Sequence, residues 1–252
     1  SGKDPNLSLE IMAMDGTDRS VLTTGVGENR GHRWSPRSDR LAYIKDSGVD
    51  RSIFVVNVDG TDSTKLTSIH GDEVGNWSPD GKSVVFSVHT GEGKGVYKRN
   101  PDGVNEFQLT FNPDFSPLWS PDSGLIAFLS EREGNLDIYV VSTEGDGEKR
   151  LTKTDGSEYD LSWSPDSKRL LFVSDRDGNA AEIYVIELES EQETQLTHNT
   201  FMDVQPVWSP NGERIVFVSY LDGDAEIFVM DSDGTNQIRL TSNLAEDTNP
   251  SW

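Results

Sequence analysis

Five short apolar runs recur along the chain: Leu41-Ala42-Tyr43-Ile44, Val84-Val85-Phe86, Leu125-Ile126-Ala127-Phe128, Leu170-Leu171-Phe172-Val173 and Ile215-Val216-Phe217-Val218. They are rich in β-branched and aromatic residues and too short for helices, so each predicts a buried strand. A second set follows them at Ile53-Phe54-Val55-Val56, Val96-Tyr97, Ile138-Tyr139-Val140-Val141, Ile183-Tyr184-Val185-Ile186 and Ile227-Phe228-Val229-Met230, with an earlier relative in Leu9-Glu10-Ile11-Met12-Ala13-Met14. Each member of this set runs through a polar turn to a Leu-Thr pair, the first at Leu22-Thr23 and the last at Leu240-Thr241. The turns at Asp15-Gly16, Asp59-Gly60, Asp102-Gly103, Glu144-Gly145 and Asp233-Gly234 have hairpin chemistry; the one at Glu189-Ser190 lacks the glycine. No stretch predicts a helix.

Ahead of the first set stands Trp-Ser-Pro, with its tryptophan at 34, 77, 119, 163 and 208, and a sixth copy begins at Ser251-Trp252. Proline presets φ for a tight turn, and the Asp/Asn and Gly/Ser that usually follow suit its next positions. A period in the low forties with four short strands per unit is the sign of a β-propeller. We therefore expect an all-β, six-bladed propeller of four-stranded antiparallel blades over residues 1–252, a single domain because no unit buries enough apolar surface alone. In each blade strand a, the innermost, ends at the tryptophan, b is the first apolar run, c the second, and d ends at Leu-Thr. The tryptophan is expected to wedge between blades as core.

The count is uneven: six c–d pairs and six a strands, but five b strands. The opening Ser1 to Leu7 reads like Ser130 to Leu136, which directly follows a b strand. The closing blade, shared between the two termini, is thus expected to lack one strand, to be supplied by upstream residues or by another chain.

The unit from Trp163-Ser164-Pro165-Asp166-Ser167 through Asp175-Arg176-Asp177-Gly178-Asn179 to Ile183-Tyr184-Val185 and Leu196-Thr197 resembles the TolB-type (WD-like) propeller repeat, and the resemblance covers nearly the whole chain. It implies six blades closed by N-terminal strands with a C-terminal strand a, and an extracytoplasmic, protein-binding role. The same repeat occurs in prolyl-oligopeptidase-like peptidases, whose hydrolase domain carries a Gly-x-Ser-x-Gly elbow that is not found in this sequence.

Composition narrows the partners. The net charge is -22, from 44 acidic against 22 basic residues. Such a surface repels phosphate backbones and anionic lipid, which argues against nucleic acid and membrane insertion, and it suits cations, basic peptides or a saline environment. With no cysteine there is neither a disulfide framework nor a thiolate site.

Five residues before each tryptophan stand Asn29, Asp72, Asp114, Glu158, Asp203 and Asp247. Blade symmetry predicts a ring of them at one mouth of the central channel. The five carboxylates are candidate ligands for Ca²⁺, the one cofactor expected, because hard oxygen donors suit that ion. All six are candidate contacts for a basic partner, with Phe115, Phe201 and Tyr220 as apolar anchors. The competing expectation is that each acid bonds its own loop. His32, His70, His89 and His198 occupy non-equivalent places, and Asp175 to Asn179 and Asp222-Gly223-Asp224 lack full EF-hand spacing. The sequence favours a non-catalytic extracytoplasmic module, periplasmic, secreted or at the cell surface, that binds a protein, basic peptide or glycan at this mouth. The alternatives are a metal-dependent carbohydrate-active lyase or hydrolase at the same place, and a unit of a larger array completed by a neighbour's strand.

Overall fold

A computed structural model describes all residues except 1–5, 14, 24–26, 49, 68–72, 179 and 244. The described residues form strands, turns and irregular segments, with no helix. They divide into two compact units, residues 1–119 with 141–146, and residues 120–140 with 147–252.

In the first unit one sheet orders its strands as Asn6–Leu7, Gly27–Trp34, Arg40–Asp46, Arg51–Asn57 and Thr64–Lys65. The outermost pair is parallel and the rest antiparallel. A second sheet runs Glu73–Trp77, Val84–Val88, Gly95–Arg99 and Phe107–Gln108. Glu10–Ile11 and Ser20–Val21 pair as a separate two-stranded sheet, the earliest c–d hairpin. The second unit holds two four-stranded antiparallel sheets, Glu158–Trp163 to Glu193–Gln195 and Asp203–Trp208 to Ile238–Arg239. The a–b–c–d order expected from sequence is the order found.

Three local devices make these blades from the repeat. In the turns after Trp77, Trp163 and Trp208 the serine hydroxyl donates to the Asp or Asn two residues on, from Ser78 to Asp80 (2.7 Å), Ser164 to Asp166 (2.6 Å) and Ser209 to Asn211 (2.7 Å), and accepts the amide of the residue three beyond that; after Trp34, Ser35 donates to Asp39 instead (2.7 Å). Gly81, Ser123, Ser167 and Gly212 supply the left-handed residue of that turn. Strands b and c face each other through a repeated ring pair: Phe86 with Tyr97 (5.4 Å), Phe172 with Tyr184 (5.6 Å) and Phe217 with Phe228 (5.6 Å).

The third device explains Leu-Thr. Strand d is only two or three residues long, yet the Leu amide still bonds strand c, and the Thr hydroxyl then accepts the amide of the first apolar residue of c. This holds for Thr67 with Ile53 (3.1 Å), Thr110 with Val96 (2.9 Å), Thr152 with Ile138 (2.8 Å), Thr197 with Ile183 (2.9 Å) and Thr241 with Ile227 (2.9 Å). A side chain continues the ladder where the backbone turns away.

Inner strands carry a bulge, at Arg30/Arg33, Val74/Trp77, Tyr159/Ser162 and Val204/Val207, and Ser116, Asp160, Gln205 and Asn249 share a positive φ three residues before the tryptophan. Trp77, Trp119, Trp163 and Trp208 are buried as expected, and Trp77 Nε1 donates to the Arg33 carbonyl (3.0 Å); Trp34 (45%) and Trp252 (54%) are exposed, against the expectation of core, although Trp252 Nε1 still donates to the Val207 carbonyl (3.1 Å). The sixth copy departs from expectation. Residues 247–252 make the contacts of strand a to the preceding repeat, such as Asn249 N to Gln205 Oε1 (2.7 Å), but no ladder, because no strand b lies beside them among the described residues.

Candidate functional site

Three of the acids singled out above, Asp114, Glu158 and Asp203, open their inner strands. Glu158 pairs with Ser174 at the end of strand b, and Asp203 with Ser219. Both carboxylates are buried. Glu158 accepts from Thr152 Oγ1 (2.8 Å), Thr154 Oγ1 (3.0 Å), Ser174 Oγ (3.0 Å) and Arg176 (3.1 Å). Burial raises its pKa against those four donors. Asp203 accepts from Asn199 Nδ2 (2.7 Å), and burial raises it too. Half-buried Asp247 accepts from Asn243 Nδ2 (2.6 Å). In the first unit Asn29 and Asp114 are buried, while Asp72 and His70 lie outside the described residues.

The acids therefore stand at the starts of the inner strands, as the spacing predicts, but Glu158, Asp203 and Asp247 turn into their own repeats. Among the described residues no group of three or more His, Asp or Glu stands where it could hold a metal ion.

Arg176, read from sequence as part of an acidic turn, is the organiser of its loop. It lies over Tyr184 (4.5 Å to the ring centre), donates to Ser174 Oγ (2.9 Å), and pairs with Glu158 and Glu193. Arg132 repeats the stacking over Tyr139 (4.3 Å).

The apolar anchors need correcting. Phe201 and Tyr220 are half-buried, whereas their neighbours Met202 (48%) and Leu221 (39%) are exposed. The Tyr220 amide donates to the Met202 carbonyl (3.0 Å), so the two loops lie side by side. Phe115 is half-buried and held against His89, ring centres 4.4 Å apart; Phe111 nearby is the exposed ring (70%). Met202 and Leu221 each directly follow the residue expected, whereas Phe111 stands four residues before Phe115.

Beside Met202 a cleft of about 510 Å³ opens, lined also by Asp155, Tyr159, Asp175, Arg176 and Ala181. Asp155 and Asp175 are exposed, and the Ser157 amide holds Asp175 in place (2.7 Å). The cleft is acidic at its rim and apolar at its floor. It can seat a cationic side chain next to an aliphatic one.

The TolB beta propeller domain family matches residues 112–181 and 179–252, more than half of the chain. An uncharacterized peptidase, YuxL, of Bacillus subtilis (strain 168) is 27% identical over 45% of this chain and 19% of its own length. The Tol-Pal system protein TolB of Nitratidesulfovibrio vulgaris is 31% identical over 40% of this chain and 24% of its own. The chain thus matches a quarter or less of the length of these relatives. Among solved structures, TolB from Acinetobacter baumannii superposes with a TM-score of 0.71 at 21% identity, covering 96% of this chain and 62% of that one. An oligogalacturonate lyase in complex with manganese gives 0.74 at 16% identity over 92% and 70%. At such identities these two likenesses speak to fold alone. Sheet order, repeat signature and family match agree, and the chain belongs to the TolB β-propeller domain family.

Proposed function

We propose that this chain is a non-catalytic, extracytoplasmic binding propeller that takes a protein partner at the loops preceding its inner strands. The observation that carries this reading is the cleft lined by Met202, where an exposed aliphatic side chain stands with the exposed carboxylates of Asp155 and Asp175. The acids behind them are engaged by hydroxyl, amide or guanidinium donors and serve the scaffold. A net charge of -22 favours a basic segment over an acidic one. The matching segment carries Lys or Arg beside Leu, Ile or Phe. The extracytoplasmic setting rests on kinship with TolB proteins.

The test is a fluorescence titration of the chain with synthetic peptides, Lys/Leu-rich against Glu/Leu-rich. The Lys/Leu peptides should bind, more weakly at high salt, and Met202→Asp with Leu221→Asp should abolish binding while the unfolding midpoint stays within a few degrees. Equal binding of both peptide classes, or binding that survives the double variant, contradicts the proposal.

A further inference from the structure

One constellation recurs at the junction of successive repeats: a carboxylate at the start of strand c, the residue before Leu-Thr in strand d, and the acid opening the next inner strand. In one junction Asp137 is met by Arg150 (2.8 Å), ahead of Glu158. In another Glu226 is met by Arg239 (2.8 Å), ahead of Asp247. Where strand c begins with Gly95 instead of an acid, strand d carries Gln108, whose amide nitrogen donates to the Thr110 carbonyl (3.0 Å). In these three, charge and countercharge change together; in a further junction Ser52 stands in place of the acid, and Lys65 in strand d pairs with Asp50 instead (3.0 Å).

One junction breaks the rule. Strand c begins with Glu182, 3% exposed, but strand d carries Gln195. Its amide nitrogen donates to the Thr197 carbonyl (2.8 Å), as the Arg239 Nε donates to that of Thr241 (2.7 Å), yet brings no positive charge to the carboxylate. Asp203, 1% exposed, stands alongside. Its amide donates to the Ala181 carbonyl (2.8 Å), and Asn199 spans the two acids, its amide on Glu182 Oε1 (2.9 Å) and its Nδ2 on Asp203 Oδ2 (2.7 Å). The remaining oxygens, Glu182 Oε2 and Asp203 Oδ1, are buried without a well-formed hydrogen bond among the described residues; the neutral hydroxyls of Thr197 and, for Asp203, Ser219 stand near the two carboxylates but bring no positive charge. Asp137 also keeps one oxygen without a donor, but Arg150 answers its charge. The other titratable group acting on Glu182 is His198, which is exposed at the surface. Two buried carboxylates facing no fixed cation carry a large desolvation cost.

We infer that Glu182 Oε2 and Asp203 Oδ1 bind a hard metal cation, which takes the place that an arginine fills in the two sister junctions. All-oxygen donors with two negative charges suit Ca²⁺ among common ions. The inference stands apart from the partner-binding proposal, since the pair lies within the scaffold and needs no partner.

The experiment is thermal unfolding of chelator-treated protein with and without Ca²⁺ alone, for the unaltered chain, Gln195→Arg and Glu182→Gln. With free Ca²⁺ about a hundredfold above Kd, the unaltered chain should gain roughly 5–10 °C. Gln195→Arg should be raised without the ion and gain nothing from it, and Glu182→Gln should lose the response. The first variant guards against the second merely failing to fold. Absence of a Ca²⁺ shift in the unaltered chain overturns the inference. So does a shift of full size in both variants, which would place the ion elsewhere.

Discussion

The indole of Trp77 donates to the backbone carbonyl of Arg33 at 3.0 Å, tying one inner strand to the residue just before the tryptophan of the preceding strand. Trp252 repeats the bond to Val207, whereas among the described residues the buried Nε1 groups of Trp119 and Trp208 have no hydrogen-bond acceptor, so Trp77 is both wedge and latch while those two are wedges. Trp77→Phe keeps most of the buried ring and removes the donor, and should cost about 1 kcal/mol. Trp77→Ala also opens a cavity and should cost about 3–5 kcal/mol. Denaturant unfolding of the two variants separates latch from wedge.

Thr152 accepts the Ile138 amide and donates to Glu158, both at 2.8 Å in a buried setting. Thr152→Val, nearly isosteric, strands both groups and should cost about 1–3 kcal/mol, with Thr152→Ser well below that. Amide exchange should show Ile138 deprotected in the valine variant and protected in the serine one.

Two arginine-bound carboxylates should respond to pH with opposite sign. Burial raises Asp137 above its ordinary value of 3.8 despite Arg150, while the Thr241 hydroxyl, with Arg239, holds Glu226 below 4.5. The raised group contributes stability that is full below its unfolded pKa and is lost as pH rises through the folded one. The lowered group contributes stability present above its unfolded pKa and lost as pH falls through the folded one. Between pH 3 and 6, unfolding of Asp137→Asn should therefore show a steeper rise of stability with pH than the parent. Glu226→Gln should show a shallower one.

Gly95 sits at φ +145° with the Thr110 carbonyl oxygen 2.0 Å from where a Cβ would lie. Gly95→Ala must move backbone and should cost about 3 kcal/mol or more. At Gly134, φ +108° with nothing within 4 Å, alanine meets only conformational strain, about 1–2 kcal/mol. Comparing the two unfolding midpoints isolates the clash.

Much of this was legible in the sequence because it is local. Trp-Ser-Pro-Asp specifies its turn within a few residues, and strands b and c announce themselves by apolar runs that each face a neighbour. Leu-Thr was visible as a signature but not as a device, since the Thr197 hydroxyl meets an amide fourteen residues away. The acids at 158 and 203 were found by spacing, yet spacing says nothing of rotation. In the strand register Glu158 lies opposite Ser174 and Asp203 opposite Ser219, and both acids are buried there. The exchange of arginine for Gln195 is plain in the sequence once strand register shows that residue 195 belongs with Glu182 and Asp203. Exposure of Met202 over Phe201 is not legible in the sequence, since both lie in a loop whose course no local periodicity dictates.

The most direct test of the central claim, that a partner docks at the loops before the inner strands, is an amide-exchange footprint of a bound Lys/Leu peptide. Protection should appear at residues 155–159, 199–203 and 219–222, around Asp155, Met202 and Leu221. Protection confined to the Ser164–Lys168 and Ser209–Glu213 turns, at the opposite ends of the inner strands, would contradict it.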